Sequence, residues 1–204
     1  MSVAQKLPAS VRKAAIVEAA IKLFSDKGFR GTTTRELAAA VGVSEPVLYQ
    51  HFATKSDLYS AIIESKSQDV RSLTEGLESF LDLGDDRAFF THLADAILDF
   101  HEHDPGYLRL LLFSGLEKHE LADRFHERQS RGFLRAVFSY IGRRIEQGAF
   151  REGIDPTVIG LSFIGMVAHY GLDRVVTDKT DWPPDRKLVV DGMVSIFLDG
   201  VRKK

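Results

Sequence analysis

The chain has 204 residues, 44% apolar and 27% charged, with a formal net charge of −2 and no cysteine. That size and balance suit one or two domains with cores of normal size. The missing cysteine excludes a disulfide framework, a thiolate metal site and a cysteine nucleophile, and it fits a reducing compartment.

The opening MSVAQKLPAS has no apolar signal core, and no apolar run reaches transmembrane length, so the chain is read as cytoplasmic. Residues 1–9 are expected to form a flexible arm. Helical periodicity then dominates, with no alternating strand pattern. SVRKAAIVEAAIKLFSDKG places Ile16, Ala19, Ala20, Leu23 and Phe24 at helical spacing and stops at Gly28. TTTRELAAAVG opens with Thr33 and Glu36 in capping-box spacing, shows an apolar face of Leu37, Ala38 and Val41, and closes at Gly42. Ser44 is expected to cap a third, very short helix with Pro46 in its first turn. Val43, Leu48 and Phe52 point one way from it; Glu45, Pro46, Tyr49 and Gln50 point the other. A fourth helix, capped by Thr54 and Asp57, is expected to run from Lys55 to about Leu83.

Residues 10–56 thus read as a helix-turn-helix domain and residues 57–204 as a larger helical body. In the body, RAFFTHLADAILDFHEHD stops before Pro105 and PGYLRLLLFSGLE is short and apolar. ELADRFHERQSRGFLRAVFSYIGRRIEQG reads as one long helix with Leu134, Val137, Phe138, Ile141 and Ile145 on one face. Two apolar helices, about 156–176 and 185–201, finish the chain. The fold class is all-α. Charge follows the same division: the first 60 residues carry eight Lys/Arg against five Asp/Glu, a net +3, which leaves −5 on the rest. Such an asymmetry permits a polyanion partner for the head.

A helix of one or two turns is unstable alone and needs packing from behind, here through Val43, Leu48 and Phe52. Its other face is then free. In helix-turn-helix docking the second helix enters the DNA major groove by its N-terminal end. Gln50 suits adenine, Glu45 a cytosine amine, and Pro46 or the Tyr49 ring a thymine methyl. Lys55 stands in the first turn of its helix, where the dipole disfavours a cation but a bound phosphate would satisfy both. Thr33 and Thr34 offer hydroxyl and N–H donors, and Arg35 reaches a phosphate or a guanine edge. Singly, Tyr49 and His51 favour the reading that they cover apolar surface, and Lys55 the reading that it is a solvated charge. Together, in this order, they point to DNA.

The stretch TTTRELAAAVGVSEPVLYQHFATKSDLYSAI resembles the DNA-binding domain of TetR-family transcriptional regulators. It carries Thr33/Thr34, Leu37-Ala38, Gly42-Val43-Ser44, Leu48-Tyr49, His51-Phe52 and Lys55 in the family's order. The resemblance implies that Thr33, Thr34, Val47, Tyr49, His51 and Lys55 hold DNA backbone, and that Arg35, Glu45, Pro46 and Gln50 read bases, with Ser44 at the entry of the reading helix. Many members have Gly where Pro46 stands. An acid such as Glu45, facing a polyanion, must meet a base donor, pair with a cation or turn away.

One helix-turn-helix makes few base contacts, so a homodimer on two half-sites is expected. Residues 158–168 and 188–198 are apolar nearly all round and need cover on every side. The last two helices, where Gly160, Gly165 and Gly171 permit close approach, are therefore read as a four-helix dimer interface, against the alternative of a larger monomeric core. The resemblance implies the same interface and adds a small, largely apolar inducer that releases a repressor from a palindromic operator. Phe100, Leu112, Phe133, Phe163 and Val167 are candidates for its pocket, with His169 and Tyr170 as polar ends. An activator of the same fold is the near alternative. The distant one is a helical metal-dependent enzyme using His119, Asp123 and His126, or the HEHD cluster at 101–104. No Walker loop, dinucleotide fingerprint or G-x-S-x-G is present, and neither a cofactor nor a metal site is expected.

Overall fold

The structure, a computed structural model, describes residues 8–80, 83–177 and 185–203. In chain order it contains α1 (Ala9–Lys27), α2 (Thr34–Ala40), α3 (Glu45–His51), α4 (Lys55–Ser65), α5 (Ser67–Glu78), α6 (Asp86–His103), α7 (Pro105–Leu116) and α8 (Glu120–Phe125). A π-helical turn (His126–Ser130) leads into α9 (Arg131–Glu146), followed by α10 (Pro156–Thr177) and α11 (Arg186–Val201). Among the described residues the only β pairing is an isolated bridge between Phe150 and Arg202, so the all-α expectation holds.

The chain divides into two compact units, residues 1–68 with 106–127 and residues 69–105 with 128–204. The first contains the helix-turn-helix segment together with α4, α7 and α8. Its core is built by α1 through Ile16, Val17, Ala20, Ile21 and Phe24, met by Leu37 and Ala38 of α2, Leu48 of α3, and Leu58, Tyr59, Ile62 and Ile63 of α4. Phe29, just past the Gly28 stop, stacks on Phe24 at 4.5 Å and meets Tyr59 edge-on at 5.1 Å. His119 stacks on the other side of Phe29 at 3.8 Å. Arg124 of α8 donates to the Ser60 and Ser56 hydroxyls of α4.

In the second unit α6, α9, α10 and α11 enclose an aromatic core. Phe89 stacks on Tyr140 at 3.7 Å, and Phe90 meets Phe163 and Phe197, each at 4.8 Å. Asp86 is buried but paired: Tyr140 donates to it at 2.9 Å and Arg144 at 2.7 Å. A buried carboxylate is tolerable only with that cover. Burial, then the Asp86 hydrogen bond, pushes the Tyr140 phenol well above its usual range. Gly160 and Gly171 serve close approach inside this unit: a Cβ would fall 2.8 Å from Phe138 at the first and 2.3 Å from His101 at the second.

Three expectations are corrected. The fourth helix is not one rod to Leu83; α4 ends at Ser65 and α5 begins at Ser67. There the Ser65 hydroxyl donates to the Ile62 carbonyl at 2.7 Å, and the Lys66 N–H turns back to Ile63, three residues away. Such side-chain competition, in a stretch from Glu64 to Gln68 with no apolar residue, ends the regular winding. The long helix after α7 is likewise divided, its regularity broken by the π turn at 126–130. And His119, Asp123 and His126 do not share one helical face: His119 lies outside α8 in extended conformation, its Nδ1 accepting from the Leu121 N–H at 3.2 Å. Among the described residues no group of three or more His, Asp or Glu could hold a metal ion.

Candidate nucleic-acid interface

Two capping boxes frame the site, both expected from sequence. At the start of α2 the Thr33 hydroxyl accepts from the Glu36 N–H at 3.2 Å, and the Glu36 carboxylate accepts from the Thr33 N–H at 2.9 Å. At the start of α4 Thr54 and Asp57 repeat the exchange at 3.1 and 2.9 Å. Each cap of this kind is worth about 1 kcal/mol. Lys27 reaches Glu36 at 2.7 Å. That contact, followed by the Thr33 N–H and hydroxyl, lowers the Glu36 carboxyl from 4.5 to about 2.

The turn between α2 and α3 is set by Gly42 at φ +68°, a left-handed conformation that glycine adopts without a Cβ clash. Val43 N–H returns to the Ala38 carbonyl at 3.0 Å and Gly42 N–H to Ala39 at 3.1 Å, the paired bonds of a Schellman stop. Ser44 takes the N-cap position of α3, but its hydroxyl makes no cap bond, contrary to expectation. Pro46 has no N–H to offer, and the Val47 N–H already bonds the Ser44 carbonyl at 3.0 Å, so no donor is left for the hydroxyl.

Leu48 and Phe52 are buried behind α3, and Val43 is half-buried. The front is open. Tyr49 is 47% exposed; Pro46 and Gln50 are exposed; Glu45, Val47 and His51 are half-buried. Arg35 and Lys55 are exposed on the flanking helices and have no hydrogen bond or ion pair to a described residue. Thr33 is exposed and Thr34 half-buried. The expected residues thus lie at the start of α2 (Thr33, Thr34, Arg35), along α3 and its N-cap (Ser44 to His51) and at the first residue of α4 (Lys55), all in the first unit, with α2 packed on α3.

Two features escape sequence reading. The Lys13 ammonium lies 5.3 Å from the Phe52 ring centroid, adding a cation at the C-terminal end of α3. Only tertiary packing brings α1 there, so spacing carries no signal for it. The Thr34 hydroxyl donates to the Glu45 carboxylate at 3.0 Å, linking the first residues of α2 and α3 across eleven positions. Glu45 thus has a local partner that is neither a base nor a cation.

The candidate ligand residues fall in different settings. Phe163, Val167 and Tyr170 are buried in the aromatic core of the second unit, and Phe133 packs against it. The Tyr170 hydroxyl accepts from Arg174 at 3.1 Å. Phe100 is half-buried and His169 exposed. Leu112 belongs to α7 in the first unit and is not grouped with them. On α10 and α11, Val158, Leu161, Leu188 and Ile196 are between 52% and 72% exposed. Val158 and Ile196 line an open groove together with Ile159, Met166 and Phe197.

The sequence profile described as "Bacterial regulatory proteins, tetR family" matches residues 16–62, a segment that runs from within α1 through α2 and α3 into α4. The chain is 31% identical over 169 residues to the nucleoid occlusion factor SlmA of Marinobacter nauticus, covering 81% of this chain and 84% of that protein. It is 29% identical to the HTH-type transcriptional activator FasR of Mycolicibacterium smegmatis, covering 96% and 85%. Among solved structures, the ketosteroid transcriptional regulator KstR2 of Mycobacterium tuberculosis shares the fold over the full length of both chains, with a TM-score of 0.69 at 18% identity.

Proposed function

Since this chain belongs to the tetR family of bacterial regulatory proteins and is a DNA-binding transcriptional regulator, we propose that it is a homodimeric repressor that seats α3 of each protomer in the major groove of a palindromic operator. The observation that carries the reading is the two-sided construction of α3. Leu48 and Phe52 fix it from behind, while Pro46, Tyr49 and Gln50 stay exposed and the cations Arg35 and Lys55 on the flanking helices have no ion pair to a described residue. Tyr49, His51 and Lys55 hold phosphates, with Val47 packing on the sugar-phosphate edge. Arg35, Glu45, Pro46 and Gln50 face base edges, where a bidentate pair discriminates by about 1–3 kcal/mol.

The dimer forms through α10 and α11. Their exposed Val158, Leu161, Leu188 and Ile196 make an apolar surface of the kind that marks an interface. A two-fold pair of heads meets half-sites about 34–36 Å apart, or a multiple of that. Regulation comes from a small, largely apolar inducer bound in the second unit near Phe163, Val167 and Tyr170, which favours a head spacing that no longer fits the operator. The protein acts in the cytoplasm, where its DNA is. Among the described residues no helix is long and apolar enough to cross a membrane.

Activation is the second reading, favoured by the name of FasR as a transcriptional activator. Selection of bound fragments from random DNA by the full-length protein tests the operator. A two-fold symmetric site supports the proposal, and absence of any enriched sequence refutes it. Transcription from a promoter carrying that site then separates the two signs of control.

A further inference from the structure

The bond between Thr34 and Glu45 bears on how this reading head chooses its sequence. Thr34 is the first residue of α2 and Glu45 the first of α3. The Thr34 hydroxyl has a single proton, and it is given to Glu45 Oε2 at 3.0 Å. While that bond lasts, the hydroxyl can present only lone pairs to a phosphate, which repels them. The neighbouring Thr33 is committed as well, to Glu36. The other Glu45 oxygen, Oε1, has no hydrogen-bond partner among the described residues. It belongs to the end of α3 that leads into the groove, next to exposed Pro46.

We infer that Thr34 is a positioning residue that holds the Glu45 carboxylate so that Oε1 accepts from a cytosine N4 amine in the major groove. This role replaces the phosphate contact that the family resemblance implies for Thr34, and it rests on the proposed docking of α3. Three physical points carry it. An ionised carboxylate accepts only, so among base edges it is served by an exocyclic amine, and cytosine N4 is its usual partner. A glutamate on a short helix end is rotationally free, and a fixed rotamer spares the ordering cost at binding. Finally, a carboxylate turned toward a polyanion without a donor is repelled. The Thr34 bond therefore makes the Glu45 position selective by penalising half-sites that lack the amine, not by adding affinity to all.

The test uses the full-length chain and the operator it selects, with each half-site base pair substituted in turn. Affinities for all four base pairs at each position are compared for wild type, Thr34→Val, Thr34→Ser, Glu45→Ala and the double variant Thr34→Val/Glu45→Ala. The expected result is a cytosine preference at one position that Glu45→Ala and Thr34→Val each reduce about tenfold, the scale of one charge-assisted hydrogen bond. The double variant loses no more than Glu45→Ala alone, and Thr34→Ser retains the preference. Should Thr34→Val fold poorly, Thr34→Ala is read in its place. Equal weakening for all four base pairs by Thr34→Val, with the salt dependence unchanged because a hydroxyl releases no counterion, makes Thr34 a phosphate contact and overturns the inference. So does a wild-type site in which no position depends on Glu45. In both cases the symmetric operator itself would stand. Selection of no site at all would instead sink the docking on which the inference rests.

Discussion

Lys55 sits where a helix dipole repels a cation, with no carboxylate from a described residue to hold it there. The proposed docking resolves that arrangement by placing a phosphate at the N-terminus of α4. Lys55→Ala is therefore expected to weaken binding to all sequences alike and to flatten the slope of log affinity against log salt by about one unit. Gln50→Ala should act differently, leaving the salt slope intact and relaxing preference at one base step. Glu36 gives a prediction in pH. Its carboxyl titrates at about 2 because Lys27 and Thr33 bind the charged form. A group lowered on folding contributes stability that is whole above its ordinary 4.5 and is lost as pH falls from there toward 2. In Lys27→Met a carbon-detected NMR titration should find Glu36 moved up toward 4.5. An unmoved midpoint would show that Lys27 is not its main partner.

At the scale of elements, α3 has seven residues and exists because of what lies behind it. Phe52→Ala removes a buried ring, and thermal or denaturant unfolding should show a loss of about 3–5 kcal/mol. Tyr49→Ala removes an exposed one and should cost DNA affinity with little change in stability. Much of this element was legible in the sequence. The Thr33–Glu36 and Thr54–Asp57 boxes, the Gly42 turn and the Leu48/Phe52 anchor are local patterns, fixed within a few residues of chain. What was not legible depends on competition or on distance. The Ser44 hydroxyl loses its cap because Val47 is already bonded to a backbone carbonyl. At the break at Lys66 the gap in apolar residues from Glu64 to Gln68 is visible in the sequence, but the Ser65 hydroxyl bond to Ile62 that acts with it is not. The Thr34–Glu45 bond and Lys13 over Phe52 join separate helices, so only the packed unit shows them.

For the whole molecule, the exposed apolar residues of α10 and α11 set the expected assembly. Leu161→Asp combined with Ile196→Asp should give monomers in sedimentation or light scattering, with retained helicity and greatly weakened operator binding. A dimer that survives both changes would move the interface elsewhere. The apolar character of these helices was plain from sequence, yet the use of their glycines was not. Gly160 and Gly171 admit Phe138 and His101 of the same chain, a pairing invisible before the fold. The candidate pocket residues are the least resolved by pattern, because a residue lining a cavity and a residue filling a core have the same apolar chemistry. The central claim, that the exposed edge of α3 reads duplex DNA, is tested most directly by footprinting the full-length protein on its selected fragments across a range of salt. Protection of two symmetric major-groove half-sites, lost in Tyr49→Ala and Lys55→Ala and weakening steeply as salt rises, is the predicted result. Protection unchanged by both substitutions, or confined to a single asymmetric tract, would contradict it.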